Sequence, residues 1–304
     1  MERMELTLGP ILFDWKRDEV LRFYDEAADF PVDRVYVGEV VCTKKLGLSL
    51  DDVESIIKKL ESAGKKVTLS SLAVVSNETE LAFTRRLAVL HNSIEANDIS
   101  VLNMADSSVK EVFAGPHITS YNAPSIEFLK SVGVKRVTFP VELSRESMAY
   151  AIKETNIYSE AFAHGKVPLA FSWRCYTSRA YGLSKTECRH HCAKYPDGME
   201  LKTVDGGPVF TVNGTSLLSA DIYSLVEFVE DLNEIGIKAL RVSPQKEGTR
   251  KIAEVFRKRI EGRLSPDEGL AELKTLGGRF CNGWYSGSAG KDYIERASEL
   301  SKTL

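Results

Sequence analysis

The chain has 304 residues, of which 43% are hydrophobic and 27% charged, the composition of a folded globular protein built as one large barrel or two modest domains. Its formal net charge of -3 lacks the basic excess of nucleic-acid binders, so nucleic acid is not expected as the main partner. No ~18-residue uncharged apolar run is present and the start has no signal-peptide core, so no membrane span and a cytoplasmic location are expected.

In chain order, short apolar runs alternate with helical periodicity. Residues 6–12 read as a strand and 17–28 as a helix, with Val20, Leu21, Phe23 and Tyr24 on its apolar face. A strand at 35–41 and a helix at 50–63, closed by Gly64, come next. The run 67–75 is β-rich, 78–90 helical, and 99–103 and 117–121 read as strand-like. A helix at 123–132 carries Pro124 near its start and Gly133 at its end. Further on, 136–140 reads as a strand, 144–155 as a helix, and 161–171 and 208–212 as strands. Residues 223–235 read as an amphipathic helix capped by Asp221 and ended by Gly236, followed by a strand at 238–243 and a helix at 248–261.

Roughly eight β-α steps of this kind predict an α/β fold with a parallel sheet, closed as a TIM-like (β/α) barrel. No Gly-x-Gly-x-x-Gly follows the first strand, which argues against a dinucleotide-binding open sheet. The rhythm breaks at 172–207, a long cysteine-containing insertion of a length usually reserved for function. The expected division is a barrel over 1–262 that includes this insertion, with a helical or irregular C-terminal extension, 263–304, against it.

The five cysteines, at 42, 175, 188, 192 and 281, are too irregular for a disulfide scaffold, and in a reducing compartment clustered thiols are metal ligands or catalytic groups. Cys188 and Cys192 are four residues apart, Cys175 lies thirteen residues earlier, and Cys42 follows a strand at the end of the sheet where α/β sites gather. Four thiols meeting there would suit zinc or an iron–sulfur cluster, and the spacing does not choose between them. Cys281 reads as a buried apolar cysteine, and His190 and His191 as solvent-facing.

Residues 38–45 (GEVVCTKK), 139–146 (FPVELSRE), 173–198 (WRCYTSRAYGLSKTECRHHCAKYPDG) and 240–245 (LRVSPQ), with LGPILFDW at 8–15 and FCNGWY at 280–285, resemble the family long labelled collagenase-like, or U32-type, peptidases. The resemblance runs nearly the whole length. It implies a 4Fe-4S cluster on Cys42, Cys175, Cys188 and Cys192, and a homologous partner subunit forming a heterodimer. It further implies an oxygen-independent hydroxylase acting on aromatic or prenylated precursors of ubiquinone. The family also contains RNA hydroxylases that take oxygen from prephenate, which makes prephenate a candidate oxygen donor and RNA modification an alternative. A non-catalytic metalloprotein partner is a further alternative. Peptidase chemistry is not expected, because the chain has neither His-Glu-x-x-His nor Gly-x-Ser-x-Gly.

Outside the cysteines, Glu142 is a candidate for acid–base or orienting work, and Tyr121 and Asn122 for lining a substrate pocket. Ser144 and Glu146 read as a helix cap and its first turn. Arg241, Ser243 and Lys246, at the last strand's end, could form an anion site of the kind that barrels carry there, or be plain solvated charge.

Overall fold

The computed structural model describes residues 3–45, 47–105 and 108–296; the last eight residues of the expected C-terminal extension lie outside them. Its first half alternates strand and helix: β1 (Glu5–Leu8), α1 (Arg17–Ala27), β2 (Arg34–Gly38), α2 (Leu50–Ser62), β3 (Lys66–Ser70), α3 (Glu78–Ala88), β4 (Ser93–Ala96), β5 (Glu111–Ala114), α4 (Ala123–Ser131), β6 (Val134–Thr138), α5 (Arg145–Thr155) and β7 (Tyr158–Gly165). Then come β8 (Pro168–Phe171), α6 (Tyr176–Ala180), β9 (Met199–Lys202), β10 (Pro208–Asn213), β11 (Ser216–Ser219), β12 (Ile222–Ser224), α7 (Val229–Glu234), β13 (Ala239–Val242), α8 (Thr249–Ile260), α9 (Pro266–Lys274) and β14 (Phe280–Cys281). Strands β1 to β7 pair in order and in parallel, and β13 closes the ring by pairing with both β7 and β1. The fold is therefore a TIM-like (β/α)8 barrel. Among the described residues no helix is long and apolar enough to cross a membrane.

The barrel strands alternate with period two, and their faces are assigned unusually. Leu6, Leu8, Val35, Val37, Val67, Leu69, Val137 and Leu240 are buried in one apolar core with the helix residues Val20, Ile56, Leu60, Ile252 and Phe256. The alternate positions of the same strands face the barrel axis and are polar. Arg241 reaches Glu95 at 2.6 Å and Glu160 at 2.9 Å. Arg136 pairs with Glu160 at 3.3 Å and also with Glu5, and Arg34 pairs with Glu5 at 3.2 Å. Thr7 and Tyr36 donate to Glu160 at 2.5 and 2.6 Å. Burial alone would raise the Glu160 carboxyl, but Arg241 and Arg136 outweigh it and hold the group below the usual carboxylate range. Barrel interiors are more often filled by branched aliphatic side chains; here cross-strand charge pairs do that work.

This polar interior explains the misread segments. Strands β4 (SIEA) and β5 (EVFA) carry too few apolar residues to signal a strand. Between them 99–103 is a 3-10 turn instead of a strand, and 117–121 is loop. The run 161–171 divides at Gly165, whose φ of +131° leaves no room for a side chain: a Cβ there would lie 2.7 Å from that of Ser243. Before the break the chain belongs to the barrel, and after it to a second, antiparallel sheet ordered β8-β11-β10-β9. The expected strand at 208–212 is found, but in this second sheet. The predicted helix at 223–235 is instead β12, a 3-10 turn and the short α7, because β12 adds to the antiparallel side of β7.

One histidine is enclosed in largely apolar surroundings. His164 is 2% exposed, its Nδ1 lies 3.2 Å from Ser224 Oγ, and burial lowers its pKa from 6.5 to about 3. In the unfolded chain it would take a proton near pH 6.5. Its stabilising contribution is thus present above pH 6.5 and lost as pH falls toward 3. We expect urea denaturation to show a loss of about 2 kcal/mol between pH 7 and pH 5 from this residue, and a flatter pH profile for His164→Gln. An identical slope in the variant would refute the assignment.

Candidate functional site

The second sheet lies over the C-terminal end of the barrel, the end where such folds place their sites. Asn213 Nδ2 donates to Leu12 O at 2.6 Å, Thr215 Oγ1 to Val41 O at 2.9 Å, and Trp15 Nε1 to Pro196 O at 2.7 Å. These bonds tie the insertion to the loops after β1 and β2, and so bring distant cysteines to one rim.

Cys42 sits in the turn after β2. Gly38, at φ +148° where a Cβ would fall 2.2 Å from Ser70 O, opens the turn, and the Glu39 carboxylate accepts from the amides of Val41 (2.7 Å) and Cys42 (3.0 Å). Cys175 is the N-cap of α6, and its Sγ accepts the Ser178 amide at 3.3 Å. The next residue, Tyr176, donates to Gly214 O, beside the Thr215 that holds Val41. Cys188 Sγ accepts the His190 amide at 3.3 Å, possible because His190 takes the left-handed conformation at φ 52°. Lys44 Nζ donates to Lys185 O at 2.9 Å, joining the Cys42 turn to the Cys188 loop. Cys192 is buried, and its thiol donates to Asp14 Oδ2 at 2.9 Å.

Two of the four sulfurs, those of Cys175 and Cys188, thus accept a backbone N–H. Such donors favour thiolate over thiol, and thiolates are the form that binds metals. Burial opposes them, pushing the Cys42 thiol up, and it pushes Cys192 up further with help from Asp14. As placed, no three His, Cys, Asp or Glu side chains among the described residues stand close enough to hold a metal ion. The four thiols thus share one rim without forming a ligand shell. His191 stacks on Tyr181 at 3.9 Å, and His190 lies 4.0 Å from Asp14. Cys281 is buried in β14, 2% exposed.

Tyr121 OH donates to Glu142 Oε1 at 3.1 Å. With His117 and Phe171 of β8 they line a cavity of about 210 Å³ between the barrel rim and the second sheet. Asn122 is placed otherwise: its Oδ1 accepts from the Ser125 amide at 2.9 Å and caps α4. Ser144 caps α5, and Arg145 grips Asp231 at 2.8 Å. Arg241 is neither solvated nor open to an anion, since Glu95 and Glu160 neutralise it inside the barrel, and Lys246 pairs with Glu19 at 3.0 Å. Sequence reading missed Glu95 and Glu160; the available signal was the charged or hydroxyl residue at every second strand position.

The chain matches the sequence profile of peptidase family U32 over residues 20–294. Among solved structures, it is similar to a mutant tryptophan synthase α-subunit from Pyrococcus furiosus, with 12% identity and a TM-score of 0.48 over 90% of this chain and 99% of that one. It is also similar to a thiamine phosphate pyrophosphorylase from the same organism, with 9% identity and a TM-score of 0.46 over 86% and 98%. A truncated 3-deoxy-D-arabino-heptulosonate 7-phosphate synthase from Thermotoga maritima gives 10% identity and a TM-score of 0.45 over 91% and 89%. With the profile spanning nearly the whole barrel and the insertion that carries three of the rim cysteines, this chain belongs to peptidase family U32.

Proposed function

We propose that the chain is the 4Fe-4S subunit of an oxygen-independent hydroxylase acting on ubiquinone precursors, similar to UbiV and working with a homologous UbiU-like subunit. The observation that carries this reading is the rim shared by Cys42, Cys175, Cys188 and Cys192, two of whose sulfurs accept backbone N–H groups. Those four residues would hold the cluster, which when bound supplies one-electron redox capacity. Asp14 would take the proton that the Cys192 thiol gives up on ligation, since it already accepts that thiol's hydrogen bond. The second sheet shields the rim, and the Tyr121–Glu142 pair beside it would orient a substrate hydroxyl. Peptidase chemistry has no support in these residues.

Protein purified without exposure to air is expected to contain about four irons and four sulfides per chain and to show a broad absorbance near 400 nm that fades on reduction. One zinc and no iron would instead assign the thiols to a closed structural site and end the hydroxylase reading.

A further inference from the structure

Three cavities meet at the barrel mouth, and His117 lines all of them. The largest, about 600 Å³, is an open cleft between the 99–103 turn and α4, with Asn97 and His117 in its polar lining. Asp98, Thr119 and Ser125 add to the polar part of the lining; of its apolar residues, Ile118 and Leu129 are buried, whereas Ile99 and Phe128 stand 58% and 60% exposed. Exposed large apolar side chains on the two lips of one cleft mark a binding surface.

The polar lining is specific. Asn97, 2% exposed, donates its Nδ2 to Ser71 O at 3.1 Å and to Glu95 Oε2 at 3.2 Å. Both partners are pure acceptors, so the amide orientation is determined. The atom left without a partner among the described residues is the carbonyl Oδ1, which requires a donor. Gly115 leaves it room, since a Cβ there would fall 2.0 Å from Oδ1. His117 packs its ring on Phe171 at 4.5 Å and makes no hydrogen bond among the described residues. Burial, and then the Arg241 charge, lower its pKa to about 3, so the imidazole stays neutral. The charged side chains lining the three cavities are Glu95, Asp98, Glu142 and Arg241, and that single guanidinium is already neutralised.

We infer that this cleft binds an uncharged molecule with an apolar body and a hydroxyl donor, an alcohol or phenol, and rejects carboxylates. The hydroxyl meets Asn97 Oδ1 and the His117 imidazole, and the body lies between Ile99 and Phe128. An anion in this cleft would meet the Asp98 carboxylate and no lining cation. A dicarboxylate such as prephenate is therefore not the ligand of this cleft. The inference deepens the proposed function, on which it rests for the phenolic precursor as the natural ligand, and it needs no cluster.

The test is an NMR titration of the full chain, purified without air, with three probes of similar size: p-cresol, its methyl ether 4-methylanisole, and the anion p-toluate. Expected are p-cresol shifts centred on the amides of Ile99, Ile118, Phe128 and Leu129, with each of the other probes at least tenfold weaker. His117→Phe, which keeps the ring packing, is expected to weaken p-cresol about five- to tenfold, and Phe128→Ala, on the exposed lip, by a similar factor. Equal binding of p-toluate or of the ether, or shifts centred elsewhere, would overturn the inference. Iron measured on the same samples reports on the cluster separately, so the two readings can fail independently.

Discussion

Glu160→Ala is expected to lower stability by roughly 3–5 kcal/mol, as breaking a buried ion pair does, a large share of the 5–15 kcal/mol that holds most domains folded. Glu160 is fully buried and accepts from Thr7, Tyr36, Arg136 and Arg241, four separate barrel strands. Removing it leaves two guanidinium groups short of a counter-charge where water cannot solvate them. Arg136 retains Glu5 and Arg241 retains Glu95, which keeps the cost finite. Glu160→Gln preserves the shape and part of the hydrogen bonding and should fall between the variant and the native chain. The acid dependence has a definite sign. The depressed carboxyl contributes fully above its unfolded value of 4.5, and its contribution is lost as pH falls below that toward the folded value. A shift in the urea midpoint worth less than about 1 kcal/mol, the scale of an ordinary surface substitution, would show that the interior network is dispensable.

Cys188→Ser is expected to give a folded but colourless protein, with iron falling from about four per chain to under one. Cys188 lies in the loop before the 191–194 turn, and among the described residues its sulfur is engaged by the His190 amide alone. A serine oxygen can accept that bond, so circular dichroism should be unchanged and stability should move by only about 0.5 kcal/mol. Any ordering that the cluster supplies should be lost from the 172–207 loop before the barrel. Cys281→Ser, buried in β14 on the far side of β12 from β7, is the matched control and should keep its colour. Unchanged iron in Cys188→Ser, or wholesale unfolding in circular dichroism, would refute this assignment.

Much of the framework could be read from the chain itself. Strand and helix alternate because apolar residues recur at the two periods those elements demand, and local chemistry marks the ends: Pro124 and Gly133 bracket α4, and Ser144 caps α5. These signals act within a few residues of chain, so they survive without tertiary context. That Cys42 stands at the end of the barrel where the insertion sits was also accessible, since a residue just past a barrel strand faces that end. Tertiary structure alone decided the rest. Strands β4 and β5 look too polar to be core because their inner faces are satisfied by partners far along the chain. Glu95, for example, is neutralised by Arg241, 146 residues away. The same long-range pairing turned Arg241 from an expected surface cation into part of the barrel interior. Folding of residues 168–219 into a separate sheet was hidden for a related reason: antiparallel neighbours are chosen by pairing and covering, and no single strand's sequence records which sheet will receive it.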